Sequence, residues 1–319
     1  MAAVMVMGCG LVSLLGIVTN VINIIVFIKQ KLKDSVNISL LALAIADFLC
    51  VVSMFWMCFS CSPIFAMLEL PFNAFDITYM TGTWTRLCSN RYFILHVYRT
   101  ASFINAFITL ERCLCIALPL KVKDIITPQR TMMINAFIFI FMIAIFSPFY
   151  YVNRLEWRLH LPKNKTLLTL VFTEDKVFVE TITFPIHSVA MSVLALVCVV
   201  VCTIILIIKL NKKSKWRQEN ATSNSTTLDT SSRKEQKVVK MVTSISVVFI
   251  VCYTPSTVTF VMMTCYPEFS LTGKFMNTWY VVWSLTVLLE TINSSINIFI
   301  YFNMSSKFKA VILSMCPKL

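Results

Sequence analysis

The sequence predicts an all-helical integral membrane protein of seven transmembrane helices, N-terminus outside, C-terminus inside, with a short amphipathic helix on the cytoplasmic face. Three observations carry this expectation. Of 319 residues, 58% are apolar, only 13% are charged and five are glycine, which does not describe a soluble chain. The apolar residues gather in seven runs, each long enough for the roughly 20 residues that cross a hydrocarbon core. Lysine and arginine concentrate in alternate connections, and basic loops stay on the cytoplasmic side.

The first run, Val4 to Ile28, has no basic leader and is too long for the core of a signal peptide, so it reads as a true span. Asn20 and Asn23 within it suit a helix that packs against others. The remaining runs are Ile38 to Phe59, Asn90 to Leu118, Thr131 to Tyr151, Ile182 to Ile208, Val238 to Met263 and Met276 to Phe302. The inner segments hold Lys29, Lys31, Lys33, Lys121, Lys123, Arg130, the basic run from Lys209 to Lys240, and Lys307, Lys309 and Lys318. Nearly all of the net charge of +13 therefore faces the cytoplasm, where it meets anionic membrane lipid. Basic residues so dispersed among membrane loops exclude a nucleic-acid surface.

Three connections are long. The first outer loop, about Ser60 to Leu87, carries Glu69, Asp76, Trp84 and Arg86 and is long enough to form part of a lid. The second, Val152 to Thr181, contains Asn164-Lys165-Thr166, a glycosylation sequon on the side where glycans are added. The third inner loop, about 211–233, is expected to be flexible, because its Ser/Thr/Asn-rich stretch from Asn220 to Ser232 cannot bury apolar area. Its hydroxyls are candidate sites for a kinase and hence for arrestin. Beyond the last span, residues 305–315 place Phe308, Val311, Ile312 and Met315 at helical spacing, with Cys316 a palmitoylation candidate. The whole chain, 1–319, reads as one domain, without the internal repeat that marks many transporters.

Ionisable residues in mid-span are the informative ones, because each costs roughly 2.5 to 3.5 kcal/mol on insertion scales. Asp47 falls in the second span, level with Asn20 in the first and Asn293, Ser294 and Asn297 in the seventh. Together they would make a polar knot able to hold water or a small cation such as sodium. Arg99 and Glu290 lie in the outer halves of their spans. Their opposite signs fit either a buried ion pair or contact with a charged ligand group. His96 and His187 have no ligand-like spacing. The 12 cysteines include no metal-binding pattern; Cys113, Cys115, Cys198 and Cys202 lie within spans as packing residues. No nucleophile-base set, paired aspartates or zinc ligands stand out, so an enzyme is not expected, nor any organic cofactor.

Five fragments recur in order along the chain. They are Gly16 and Asn20 with Val26; Leu43-Ala44 with Asp47; Glu111-Arg112-Cys113 followed by Ile116 and Pro119-Leu120; Phe249, Cys252, Tyr253 and Pro255; and Asn293-Ser294-Ser295, Asn297 and Tyr301, then Phe308. In this the chain resembles the rhodopsin-like G-protein-coupled receptors over almost its whole length. Around 33–39, 111–121 and 293–307 its wording is similar to the chemosensory receptors of gastropod molluscs.

The resemblance implies a plasma-membrane receptor that binds an extracellular ligand, expected to be a chemosensory small molecule, and activates a heterotrimeric G protein. A neuropeptide receptor of the same fold is the alternative; a seven-helix channel or a transporter using Arg99 and Glu290 would be other classes. It implies a cytoplasmic switch in which Arg112 pairs with Glu111 and Glu235, with Tyr301 nearby. Pro255 would kink the sixth helix, beside Phe249 and Tyr253. Ligand-pocket candidates are Ile94, Tyr98, Arg99 and Glu290. Ile94 stands where amine receptors carry Asp, and the seventh span has no lysine for a retinal Schiff base. Departures from the family are Cys113 for Tyr, Tyr253 for Trp and Ile298 for Pro, with Pro185 only near the outer end of the fifth span. The second outer loop also has no cysteine to pair with Cys88, which leaves Cys61 and Cys265 as the alternatives for an outer disulfide.

Overall fold

The structure, a computed structural model, describes residues 2–60, 92–117, 126–160, 165–219, 226–270 and 273–315. In chain order these form α1 (Ala2–Lys29), α2 (Ser35–Ser60), α3 (Tyr92–Ala117), α4 (Pro128–Val152), strands β1 (Asn153–His160) and β2 (Lys165–Phe172), α5, α6 (Thr226–Cys265), α7 (Met276–Met304) and α8 (Ser306–Met315). Helix α5 begins as Lys176–Phe184, takes one π-helical turn over Pro185–Ala190 and resumes as Met191–Glu219. Seven helices, α1 to α7, are long and apolar enough to cross a membrane.

The bundle closes on itself. Helix α1 packs on α2 and α7, α5 on α6 and α6 on α7, while α3 touches α2, α4, α5 and α6 and so stands at the centre. Its polarity is the inverse of a water-soluble bundle. Leu11 and Val18 of α1, Phe137, Ile140 and Ile143 of α4, and Leu194, Val201 and Ile208 of α5 are exposed, whereas Ser13, Asn20, Asn23, Asp47, Asn105 and Asn135 are buried. Apolar lipid is the solvent that such an exterior needs, and small or polar interior residues let helices approach and hydrogen-bond. Helices meet closely at Gly16: a Cβ there would meet Val51 Cγ1 at 2.7 Å and would also collide with Ser295 Oγ. Helix α1 therefore sits against α2 and α7 at once because residue 16 has no side chain.

One end of the bundle is closed by two devices. Lys31 turns the chain in the left-handed region (φ 64°), and Asn37 Nδ2 donates to the carbonyls of Phe27 and Lys31, each at 3.0 Å. The rings of Phe27, Tyr301 and Phe308 then meet pairwise, with centroids 5.1 to 5.4 Å apart, and hold α8 to α1 and α7. The exposed Lys307–Asp34 contact (3.5 Å) adds little to this.

At the opposite end β1 and β2 form an antiparallel hairpin, in register from Asn153 opposite Phe172 to His160 opposite Lys165. Its base is tied by Thr173 N donating to Val152 O (3.0 Å). Below it, Pro148 inside α4 cannot donate to the carbonyl of Ala144, and Ser147 Oγ donates there instead (2.7 Å). The next carbonyl, Ile145 O, lies 2.8 Å from Nε2 of His187, whose Nδ1 is 2.6 Å from Thr183 O. Phe146 and Phe149 pack their rings around this imidazole.

Two sequence expectations need correction. The segment 211–233, expected as a flexible loop, is helical through Glu219 and again from Thr226. Lys, Gln, Arg and Glu at 212–219 are good helix formers, and a helix already nucleated in the bundle extends at little cost. The connection after α4, expected only as a long outer loop, holds the β-hairpin. From Arg154 to Leu159 polar and apolar residues alternate, the period of a strand. Asn164, Cys61, Cys88, Cys316 and the loop residues Glu69, Asp76, Trp84 and Arg86 lie outside the described residues. Cys265 is exposed and unpaired among those described.

Candidate functional site

The predicted site residues fall in three layers along the bundle axis. At the α8 end, Arg112 near the C-terminus of α3 forms an ion pair with its neighbour Glu111 (3.0 Å). Glu111 Oε2 also accepts from Ser39 Oγ of α2 (3.2 Å), and Ser39 in turn accepts from Asn135 Nδ2 of α4 (3.3 Å). Arg112 is thereby held by a carboxylate that three helices fix in place. Breaking such a buried pair by removing one partner costs about 3 to 5 kcal/mol. The side chain of Glu235 is outside the described residues, as are those of Ile94 and His96. Thr109 of α3 and Ser246 of α6 share a hydrogen bond (2.8 Å) one layer in, which links the two helices beside Arg112.

The middle layer holds the polar knot. Asn297 Nδ2 donates to Asp47 Oδ2 (2.8 Å), joining α7 to α2. Asn20 reaches the layer less directly, donating to the main-chain carbonyls of Ser294 (2.7 Å) and Gly16 (3.0 Å). Asn293 is buried but makes none of these hydrogen bonds. The expected convergence of every amide on Asp47 is therefore reduced to one. Because α1 meets α7 through backbone, Asn20 spends its donors on carbonyls. Asp47 Oδ1 and Ser294 Oγ are both buried without a hydrogen-bonding partner among the described residues. A free carboxylate oxygen and a hydroxyl are hard donors of the kind a small cation takes, so the residues present fit sodium.

The third layer lies towards the hairpin end. Tyr98 OH bonds Thr291 Oγ1 (3.1 Å), and Tyr253 OH donates to the carbonyl of Tyr98 (2.6 Å). Phe249 stacks on Tyr253, centroids 4.4 Å apart. Next to them is Arg99, 1% exposed, with Cζ 5.5 Å from the Tyr253 ring centroid and 5.0 Å from that of Phe260. None of its three guanidinium nitrogens has a hydrogen-bonding partner among the described residues. Glu290 on α7 does not pair with it; its Oε1 accepts from Ser256 Oγ of α6 (2.5 Å). Of the two readings open for Arg99 and Glu290, a direct ion pair is thus absent from the structure. Pro255 lies within α6, and the carbonyl of Val251 loses the donor it would otherwise have.

Seven helices with α3 at their centre, a buried acidic-Arg pair at one end and a ring-stacked proline helix towards the other, invite comparison with known proteins. The family model for the seven-transmembrane receptors of the rhodopsin family matches residues 19–301. The chain belongs to the rhodopsin-family receptors. A galanin-like G-protein coupled receptor of Caenorhabditis elegans, npr-9, is similar to it at 26% identity over 325 residues, covering 93% of this chain and 69% of the relative. A rhodopsin-family receptor is a multi-pass plasma-membrane protein and not an enzyme, and its partners are an extracellular ligand and a G protein.

Within this receptor several residues that sequence reasoning passed over join the layers. Ser39 and Asn135 hold Glu111, and Ser39 lies about two turns before Asp47 on α2. Ser256 and Thr291 engage Glu290 and Tyr98. A lone hydroxyl in a span satisfies its own helix so often that neither position stood out.

Proposed function

We propose that this receptor sits with its N-terminus outside, takes its ligand at the hairpin end, and signals by swinging the inner half of α6 about Pro255. The observation that carries this reading is the arrangement of Arg112. It is buried, paired to Glu111 alone among the described residues, and keeps an unpartnered Nε. Release of that pair would open a basic, apolar crevice between α3 and α6 for a helix of the G protein. Glu235 serves as the second lock on Arg112, Tyr301 as the α7 element of the switch, and Phe249 with Tyr253 as the packing that follows the hinge. Ligand contacts are assigned to Ile94, Tyr98, Arg99 and Glu290, and a sodium ion to Asp47. Lipid contacts, a kinase or arrestin at the third inner connection, a glycan at Asn164 and a palmitoyl group on Cys316 complete the proposal.

In cells, Arg112→Ala should abolish G-protein activation with surface expression retained, and Glu235→Gln should raise ligand-independent signalling. An Arg112→Ala receptor that still signals normally would overturn the switch.

For the ligand, similarity to gastropod chemosensory receptors supports a waterborne small molecule. A peptide ligand is the second reading, favoured by the galanin-like relative and by a two-stranded hairpin, whose outer edges pair with no further strand among the described residues. Expression in sensory epithelium or in central neurons separates the two.

A further inference from the structure

We infer that the ligand carries a carboxylate, which the guanidinium of Arg99 receives, and that the rest of the ligand is neutral or cationic because Glu290 of α7 is held against the same face of α6. This rests on the reading of the hairpin end as the ligand-binding end.

Arg99 is the starting point. Arginine cannot shed its charge and presents five N–H donors in one plane. Buried charges are ordinarily paired, yet all three nitrogens of Arg99 are without a hydrogen-bonding partner among the described residues. What Arg99 does have are the rings of Tyr253 and Phe260. Ring faces answer a positive charge but accept no in-plane hydrogen bonds of the strength a guanidinium edge can give. A planar two-oxygen acceptor matches that edge, and a carboxylate is the planar two-oxygen anion of organic ligands.

Glu290 supplies the second half of the inference. This carboxylate would have been an internal answer to Arg99, but it is held by Ser256 instead. Tyr253, Ser256 and Phe260 are spaced three and four residues apart and share one face of α6. Arg99 lies over the two rings and Glu290 on the hydroxyl between them, so opposite charges share one patch without meeting. A ligand that brings one negative group is received there; one that brings two faces like charge at Glu290. Free monocarboxylate amino acids and the free C-terminus of a peptide both satisfy this, whereas dicarboxylates and C-terminal amides do not.

The test uses the purified full-length receptor in nanodiscs. Thermal shift is read with free L-amino acids and their amides, with a short peptide ending in acid or amide, and with chloride alone. Acids should stabilise the receptor and bind about 10- to 100-fold more tightly than the matching amides, with Gln and Asn ahead of Glu and Asp. Free amino acids against peptide acids identify the source of the carboxylate. In Arg99→Gln the preference for acid should vanish, and its unliganded melting midpoint should rise, because a buried unpartnered charge has gone. A guanidinium that serves the fold alone would give a falling midpoint, and that outcome overturns the inference whatever the panel contains. So does equal binding of acid and amide, or chloride saturating the shift. Binding here needs no G protein. Acids that bind but never activate one would sink the receptor mechanism and leave this inference standing. A neutral agonist equally active on wild type and Arg99→Gln would do the reverse.

Discussion

Tyr253 donates its hydroxyl to the main-chain carbonyl of Tyr98 at 2.6 Å, so the residue two before the α6 proline is fastened to the central helix. Tyr98 O also accepts from Ser102 Oγ (2.7 Å), so loss of Tyr253 leaves no carbonyl stranded. The bond therefore measures how firmly α6 is held to α3. Tyr253→Phe keeps the ring stack on Phe249 and removes only the hydroxyl. A buried hydrogen bond contributes about 0.5 to 1.5 kcal/mol, which is roughly a 2- to 10-fold shift of a two-state balance. Basal G-protein activation should rise by that factor; an unchanged basal level would mean that the bond persists in both states.

Asp47→Asn removes the charge and keeps an acceptor for Asn297. Wild-type receptor should melt higher in sodium chloride than in choline chloride, and Asp47→Asn should melt alike in both. Asp47→Leu is expected to be worse, since the Asn297 amide would lose its acceptor at about 1 to 3 kcal/mol.

Gly16→Ala should lower the melting midpoint, because its Cβ would press on Val51 and Ser295 and overpacking costs about 1 to 3 kcal/mol. Gly8→Ala is the control: nothing lies within 4 Å of a Cβ there, and the midpoint should not fall.

Phe308→Ala empties the corner shared with Phe27 and Tyr301. Deleting a buried phenylalanine costs about 3 to 5 kcal/mol in a well-packed core. Protease protection of α8 is the direct readout, and full protection in the variant would show that Lys307–Asp34 and the backbone suffice.

Much of this was legible before any coordinates, for a physical reason. Lipid leaves only helices able to satisfy their own backbone, so apolar runs translate directly into spans, and a carboxylate such as Asp47 in mid-span must seek a polar neighbour. Asn297 was among the neighbours proposed. The ends were harder. Lys212 to Glu219 are polar enough to read as loop, although their propensity is helical. The alternation from Arg154 to Leu159 was hidden by its mixed charge. Arg99 and Glu290 could be named but not related, because sequence carries no distance, and Ser256, which decides their relation, looked like an ordinary span hydroxyl.

The imidazole of His187 has a mechanical consequence. It lies between a carbonyl of its own helix, Thr183, and one of the neighbouring helix, Ile145, with the rings of Phe146 and Phe149 against it. Sliding α5 along α4 by a single residue would strand polar groups on both, so the pair moves as one beam. The hairpin is the strap joining the two helices, closed at its base between Val152 and Thr173. A pull on that strap is therefore borne by two rods riveted together.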